Sequence, residues 1–80
     1  MSHTPHELAE EFPDKVDLIS QLRSSDAHFA KLCTEYHDVN RAVHRAEERI
    51  EAVSPTAEDE MRRRRMQLKD EIYGMLTAAV

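Results

Sequence analysis

The sequence predicts an all-α protein: an antiparallel helical hairpin, coiled-coil-like, with a short extra helix at its N-terminus. Three observations carry that prediction. One Gly and three Pro in 80 residues are too few turn formers for an all-β fold. Charged residues make up 34% and aromatics 5%, with no Trp, which suits long helices with a narrow apolar seam. Apolar residues recur at seven-residue intervals through the middle of the chain. A chain of this length makes one small domain, marginal as a lone monomer. It lacks the several layers of structure that enclose a deep catalytic pocket, so no enzyme is expected.

Residues 1–13 read as the short helix and its turn. Thr4 caps, Pro5 suits the first helical position, and Glu7 sits where a capping-box acid reaches back. Leu8 and Phe12, with Ala9, give this helix one apolar side, and Pro13 ends or turns it. Residues 14–80 read as the hairpin. Its long helix covers about 14–53, with Asp17 in the first turn. Leu22, Phe29, Tyr36, Val43 and Ile50 form one line of the seam. Leu18, Leu32, Val39, Ala46 and Val53 form the companion line, broken only by Ser25. Ser24-Ser25-Asp26 is the one site for a kink or cap, and the helix is expected to run through it. Ser54-Pro55-Thr56 then breaks the run. Ser54 or Thr56 caps a return helix over about 56–78, whose first turn holds Glu58, Asp59 and Glu60 at the positive end of the helix dipole. Met61, Leu68, Ile72, Met75 and Ala79 line its seam, Arg65 fills the remaining position, and Leu76 widens the stripe.

So short a connection makes the two helices antiparallel. At about 1.5 Å rise per residue the return helix is roughly 35 Å long. It pairs Ile50 with Met61, Val43 with Leu68, Val39 with Ile72 and Tyr36 with Met75, and ends near Leu32. Leu18, Ile19, Leu22 and Phe29 are left without a partner from it. Burying a large apolar side chain is worth about 1.5–3 kcal/mol, so four exposed together are disfavoured. Either the short helix covers them with Leu8 and Phe12, or a second copy does. The short helix brings little area, so self-association through Leu18, Ile19, Leu22 and Phe29 is expected. On that reading Phe29→Asp shifts the mass toward monomer and leaves the hairpin helical.

The net charge of −5 argues against a bulk polyanion binder. The N-terminal third is the acidic part, while the last third balances its acids with Arg62, Arg63, Arg64, Arg65 and Lys69. On a helix the four arginines point about 100° apart and make a collar. Arg41, Arg45 and Arg49 line one face of the long helix at four-residue steps. Pairing brings Arg45 close to Arg64 or Arg65, so these seven arginines are the candidate phosphate contacts. The plainer reading pairs them with Glu47, Glu48, Glu51, Glu58 and Glu60 on a solvated surface, and that reading is preferred. No aromatic platform for stacking bases accompanies them. Arg65 lies along the seam with its stem buried, so Arg65→Leu is expected to raise stability.

No metal, cofactor or catalytic residue is expected. His37 and His44 are about 10 Å apart along a helix axis, too far to share an ion. His44 and Glu48 stand at four-residue spacing, but two ligands are no site. His3 and His6 would take up copper or nickel only adventitiously. Cys33 is alone, which excludes an intrachain disulfide and fits a reducing compartment. His37 lies one turn from it, yet a nucleophile also needs a pocket and oxyanion donors. Tyr36 packs on the seam near Met75. Tyr73 lies off the seam as a second contact surface. Gly74 costs a helix interior about 1 kcal/mol relative to Ala. It either admits another helix closely or marks a fraying end. No apolar run approaches the roughly 20 residues of a membrane span. The N-terminus has no secretory pattern, and the cytoplasm is the expected location.

Several stretches together carry a family likeness. They are Glu11-Phe12-Pro13-Asp14-Lys15, Leu22, Asp26-Ala27-His28-Phe29, Glu35-Tyr36-His37-Asp38-Val39-Asn40, and Arg63-Arg64-Arg65-Met66-Gln67-Leu68-Lys69-Asp70-Glu71-Ile72-Tyr73. From about Pro5 to Leu76 the chain resembles the bacterial YdcH family. The fourth arginine and Met66 depart from its common pattern. The resemblance implies a small cytoplasmic bacterial protein built as a helical hairpin, and it carries no activity and no ligand residues. The functional expectation is a non-enzymatic interaction or adaptor protein that self-associates and presents charged outer faces to a protein partner. The alternative is a nucleic-acid-associated regulator that grips phosphates through the arginines.

Overall fold

A computed structural model describes residues 4–50 and 52–78. His3, Glu51 and Ala79, each given a part above, lie outside the described residues. The fold is all-α, with no strand among the described residues. Helix α1 covers Leu8–Glu11, α2 Val16–Ser25, α3 Ala27–Glu47 and α4 Pro55–Ala78, with a 3₁₀ turn at Pro13–Lys15 between α1 and α2. Helices α3 and α4 form the hairpin, and α2 packs back on α3. The result is a slab of 40 × 27 × 18 Å.

The N-terminal segment starts differently from the expected capping box. Pro5 and His6 form a turn, with His6 at φ 62, and α1 begins only at Leu8. Proline followed by a left-handed residue is the type II turn pattern. Glu7 is the N-cap but makes no side-chain cap bond, because its carboxylate is engaged by His37. Phe12 leaves helical geometry at φ −131 and ψ 64, one residue before Pro13. The second helix therefore starts at Val16, with Asp17 in its first turn.

The long helix does not run through. Asp26 is extended, at φ −129 and ψ 108, and separates α2 from α3. Its carboxylate accepts hydrogen bonds from the His28 and Phe29 amides at 2.9 and 3.1 Å, an N-cap that begins α3 anew. The Ser24 and Ser25 hydroxyls donate back to the Ser20 and Gln21 carbonyls in the last turn of α2. Such bonds bend and weaken a helix end. The local polar chemistry of three residues thus overrides a continuous apolar repeat.

That break decides where Leu18, Ile19, Leu22 and Phe29 go. Phe29 is wholly buried and Ile19 is 8% exposed, both within the core of Phe12, Leu32, Cys33, Tyr36, Leu68, Ile72 and Leu76. Leu18, Leu22 and Leu8 pack against the same core. Of the four residues expected to need a second copy, Ile19 and Phe29 are buried and Leu18 and Leu22 partly buried by their own chain, because α2 turns back and Leu8 and Phe12 add area. Cys33 and Asn40 are buried as well, one position beyond the two-line seam. The buried stripe of α3 is wider than a coiled-coil seam because the helix is covered on two sides.

The other correction concerns Ile50, which is 69% exposed. Helix α3 stops at Glu47, short of the expected boundary at 53. Arg49 takes φ 57, its amide donates to the Ala46 carbonyl, and the Ile50 amide reaches the Arg45 carbonyl at 3.0 Å. This is a Schellman motif with arginine in the position that glycine usually fills. It turns Ile50 off the seam and out of its expected pairing with Met61. Arg49→Gly is expected to raise stability by about 1 kcal/mol, since a left-handed conformation costs a side-chain-bearing residue roughly that much. A urea-melt midpoint that falls would contradict this. Helix α4 begins as expected, with the Ser54 hydroxyl accepting from the Ala57 amide at 3.2 Å and Pro55 in the first position.

Candidate functional site

The most developed polar arrangement lies where the N-terminal segment meets the hairpin. Asn40 is wholly buried. Its amide nitrogen donates to the Pro5 carbonyl at 2.7 Å, and its oxygen accepts from the Arg65 guanidinium at 2.9 Å. One turn earlier on α3, the Tyr36 hydroxyl donates to the His6 carbonyl at 2.6 Å. Two consecutive backbone carbonyls are thus held by two side chains of one helix. Around them His37 Nδ1 meets the Glu7 carboxylate at 3.1 Å, and Lys69 Nζ meets Glu11 at 3.1 Å. Phe12 stacks on Tyr73, with ring centroids 5.7 Å apart and planes 17° from parallel, and Lys69 stands over the same Phe12 ring.

The electrostatics follow from this packing. Burial pushes the Tyr36 hydroxyl up to about 12, helped by the Glu11 and Glu7 charges. That keeps it a neutral donor. Burial also raises Glu11, but the hydrogen bonds and charges of Lys69 and His6 outweigh it, and its carboxyl sits below the ordinary value. Cys33 is 2% exposed, and burial pushes its thiol up, so it is a poor nucleophile at neutral pH. An open cleft beside it is lined by Glu7, Val16, Ile19, Arg23 and His37. No group of three or more His, Cys, Asp or Glu side chains able to hold a metal ion occurs among the described residues.

The candidate phosphate contacts do not gather into one patch. Arg62 bonds Glu47 at 3.1 Å, Glu58 at 3.2 Å and Asp59 at 3.5 Å, and Arg64 bonds Glu35 at 2.8 Å. The Glu47 hydrogen bond is the main cause that raises Arg62 above its usual value. Arg65 is engaged with Asn40, and Arg45 is half-buried. Arg49 sits beyond the end of α3 in the Schellman turn. Arg41 and Arg63 are exposed and have no acidic partner among the described residues.

A second feature is the outward face of α4. Arg63, Met66, Asp70, Tyr73 and Gly74 are all exposed and fall within about a third of the helix circumference. Met66 is 59% exposed and Tyr73 is 49% exposed, one above the other at seven-residue spacing. Gly74 has open space where a side chain would stand.

The model of a family described as "Protein of unknown function (DUF465)" matches residues 29–76, more than half of the chain. The chain belongs to the DUF465 family. YdcH-family proteins are DUF465 members, so the family likeness read from the sequence agrees with this match. No curated protein and no solved structure matches the chain. No helix among the described residues is long and apolar enough to cross a membrane.

The DUF465 match takes in the hairpin and all the donors of the clamp (Tyr36, His37, Asn40, Arg65 and Lys69) but stops short of the segment they hold. The Tyr-His-x-x-Asn stretch of this DUF465 chain therefore has a physical purpose. Its three polar side chains bind the Pro5–Glu7 backbone and carboxylate. Sequence reasoning missed that Asn40 meets Pro5 and His37 meets Glu7, partners 35 and 30 residues apart. The available signal was an asparagine one position off a seam of apolar residues, beside a seam tyrosine. The seam arginine was noticed, but its partner was not.

Proposed function

We propose that this DUF465 chain is a non-enzymatic helical interaction module of the cytoplasm that binds a protein partner and self-associates. The observation that carries the reading is the outward face of α4. Exposed Met66 and Tyr73 supply apolar contact, Arg63 and Asp70 supply charge of both signs, and Gly74 leaves room for a close backbone approach. A glycine in an exposed helix interior costs stability, and no contact among the described residues uses the space it leaves.

Gly74→Ala is expected to raise stability by about 1 kcal/mol in a urea melt, because nothing obstructs the new methyl group. The same variant, and Met66→Glu, are expected to weaken partner capture. The experiment is a tagged pull-down from the native cell, split into nuclease-treated and untreated halves and read by mass spectrometry. Proteins that survive nuclease, and are lost with Met66→Glu, support the reading. Equal capture by Met66→Glu removes this face from it. Partners that vanish with nuclease favour phosphate contacts through Arg41 and Arg63 instead, with binding that falls steeply as salt rises.

A further inference from the structure

We infer that two copies of this chain exchange residues 4–25, each docking this half on α3 and α4 of the other copy, by straightening at Asp26. The inference rests on the self-association in the function proposed above and gives it a route. It starts from the hinge. A single residue separates α2 from α3, and its backbone already carries helical hydrogen bonds on both sides. The Asp26 amide donates to the Leu22 carbonyl at 2.8 Å, and the Ala30 amide donates to the Asp26 carbonyl at 3.0 Å. A continuous helix needs only the Ala27, His28 and Phe29 amides to reach the Arg23, Ser24 and Ser25 carbonyls. Two of those amides now bond the Asp26 carboxylate. Straightening therefore exchanges two cap bonds for three helical ones.

The apolar repeat supports the same straight form. Leu18 and Leu22 before the break and Phe29, Leu32 and Tyr36 after it follow one seven-residue pattern, as though the helix continued. A straight helix from Val16 to Glu47 would carry Phe12, Ile19 and the Pro5–Glu7 turn away from their own hairpin. Phe12, Ile19 and Phe29 are buried in the folded chain, so they must be covered again. The surface that fits them is the same surface on a second copy. Every contact of the clamp is then remade between chains: Tyr36 with His6, Asn40 with Pro5, His37 with Glu7, Lys69 with Glu11, and Tyr73 with Phe12. Exchange of an identical element across a short hinge is an inexpensive route to a dimer.

Asp26→Ala removes the cap and places a good helix former at the hinge. The expected result is a doubled light-scattering mass. In a mixture of ¹³C-labelled and unlabelled chains, Phe12–Tyr73 ring contacts should then appear between chains. Inserting two glycines after Asp26 should return the mass to that of a monomer. A dimer whose Phe12–Tyr73 contacts all stay within one chain overturns the exchange and leaves self-association standing. A helical Asp26→Ala chain that stays monomeric at millimolar concentration overturns both. If Asp26→Ala does not fold, wild-type chain refolded from guanidinium at millimolar concentration takes the same reading. A doubled-mass fraction with contacts between chains supports the exchange, and its absence overturns it.

Discussion

Phe29→Ala is expected to destabilise the folded chain by about 3–5 kcal/mol, read as a drop in the urea midpoint followed by circular dichroism. Phe29 is wholly buried in the core it shares with Phe12, Ile19, Leu32, Tyr36, Leu68, Ile72 and Leu76, so truncating it removes a large apolar side chain from close packing. A domain of this size has roughly 4–12 kcal/mol in all. The variant should therefore lose at least about a quarter of that stability, and all of it at the lower end of the range. This reverses the expectation drawn from the heptad alone, in which an altered Phe29 changes mass and leaves the hairpin intact. Val16→Ala is the control. Val16 is 45% exposed, and a change there should stay within about 0.5 kcal/mol. An unaltered midpoint for Phe29→Ala would mean that α2 does not close over α3 in solution.

The second large effect is expected at Asn40. Asn40→Leu removes the donor to the Pro5 carbonyl and the acceptor for Arg65 in one step, and should cost about 2–3 kcal/mol. Arg65→Leu should also destabilise, by about 1–2 kcal/mol, because it leaves the Asn40 oxygen buried without a donor. The seam position alone predicts the opposite sign for Arg65, since a leucine there fills an apolar stripe. The partner decides it. The two losses should not add, and the double variant should be less destabilised than their sum by about 1 kcal/mol. Strict additivity in the urea midpoints would show that the two side chains act separately.

These two cases mark how far the sequence could be read. Helix α4, its Ser54 cap, and the burial of Tyr36, Val43, Leu68 and Ile72 follow from spacing and capping chemistry, which are local, whereas Phe29 is buried by its own chain and not by a second copy. The break at Asp26 was visible as a cap but lost to the apolar repeat, since no local rule weighs a carboxylate against a heptad. Ile50 kept its seam position on paper because arginine rarely takes the left-handed place that ends α3. The clamp was the least legible part. Its acceptors are main-chain oxygens, which every residue carries, so nothing in the identities of Pro5 and His6 announces Tyr36 or Asn40.

The lone thiol makes this molecule its own clock. Cys33 borders the cleft formed by Leu8, Val16 and Ile19, under the half of the chain that α2 and the N-terminal turn supply. Cys33 is 2% exposed and burial disfavours its thiolate, so a thiol reagent reacts slowly in the closed form and faster when that half lifts. Its alkylation rate, divided by that of an unfolded chain, gives the fraction of time the lid is open. One unmodified residue thus reports local opening separately from global unfolding, with no label added.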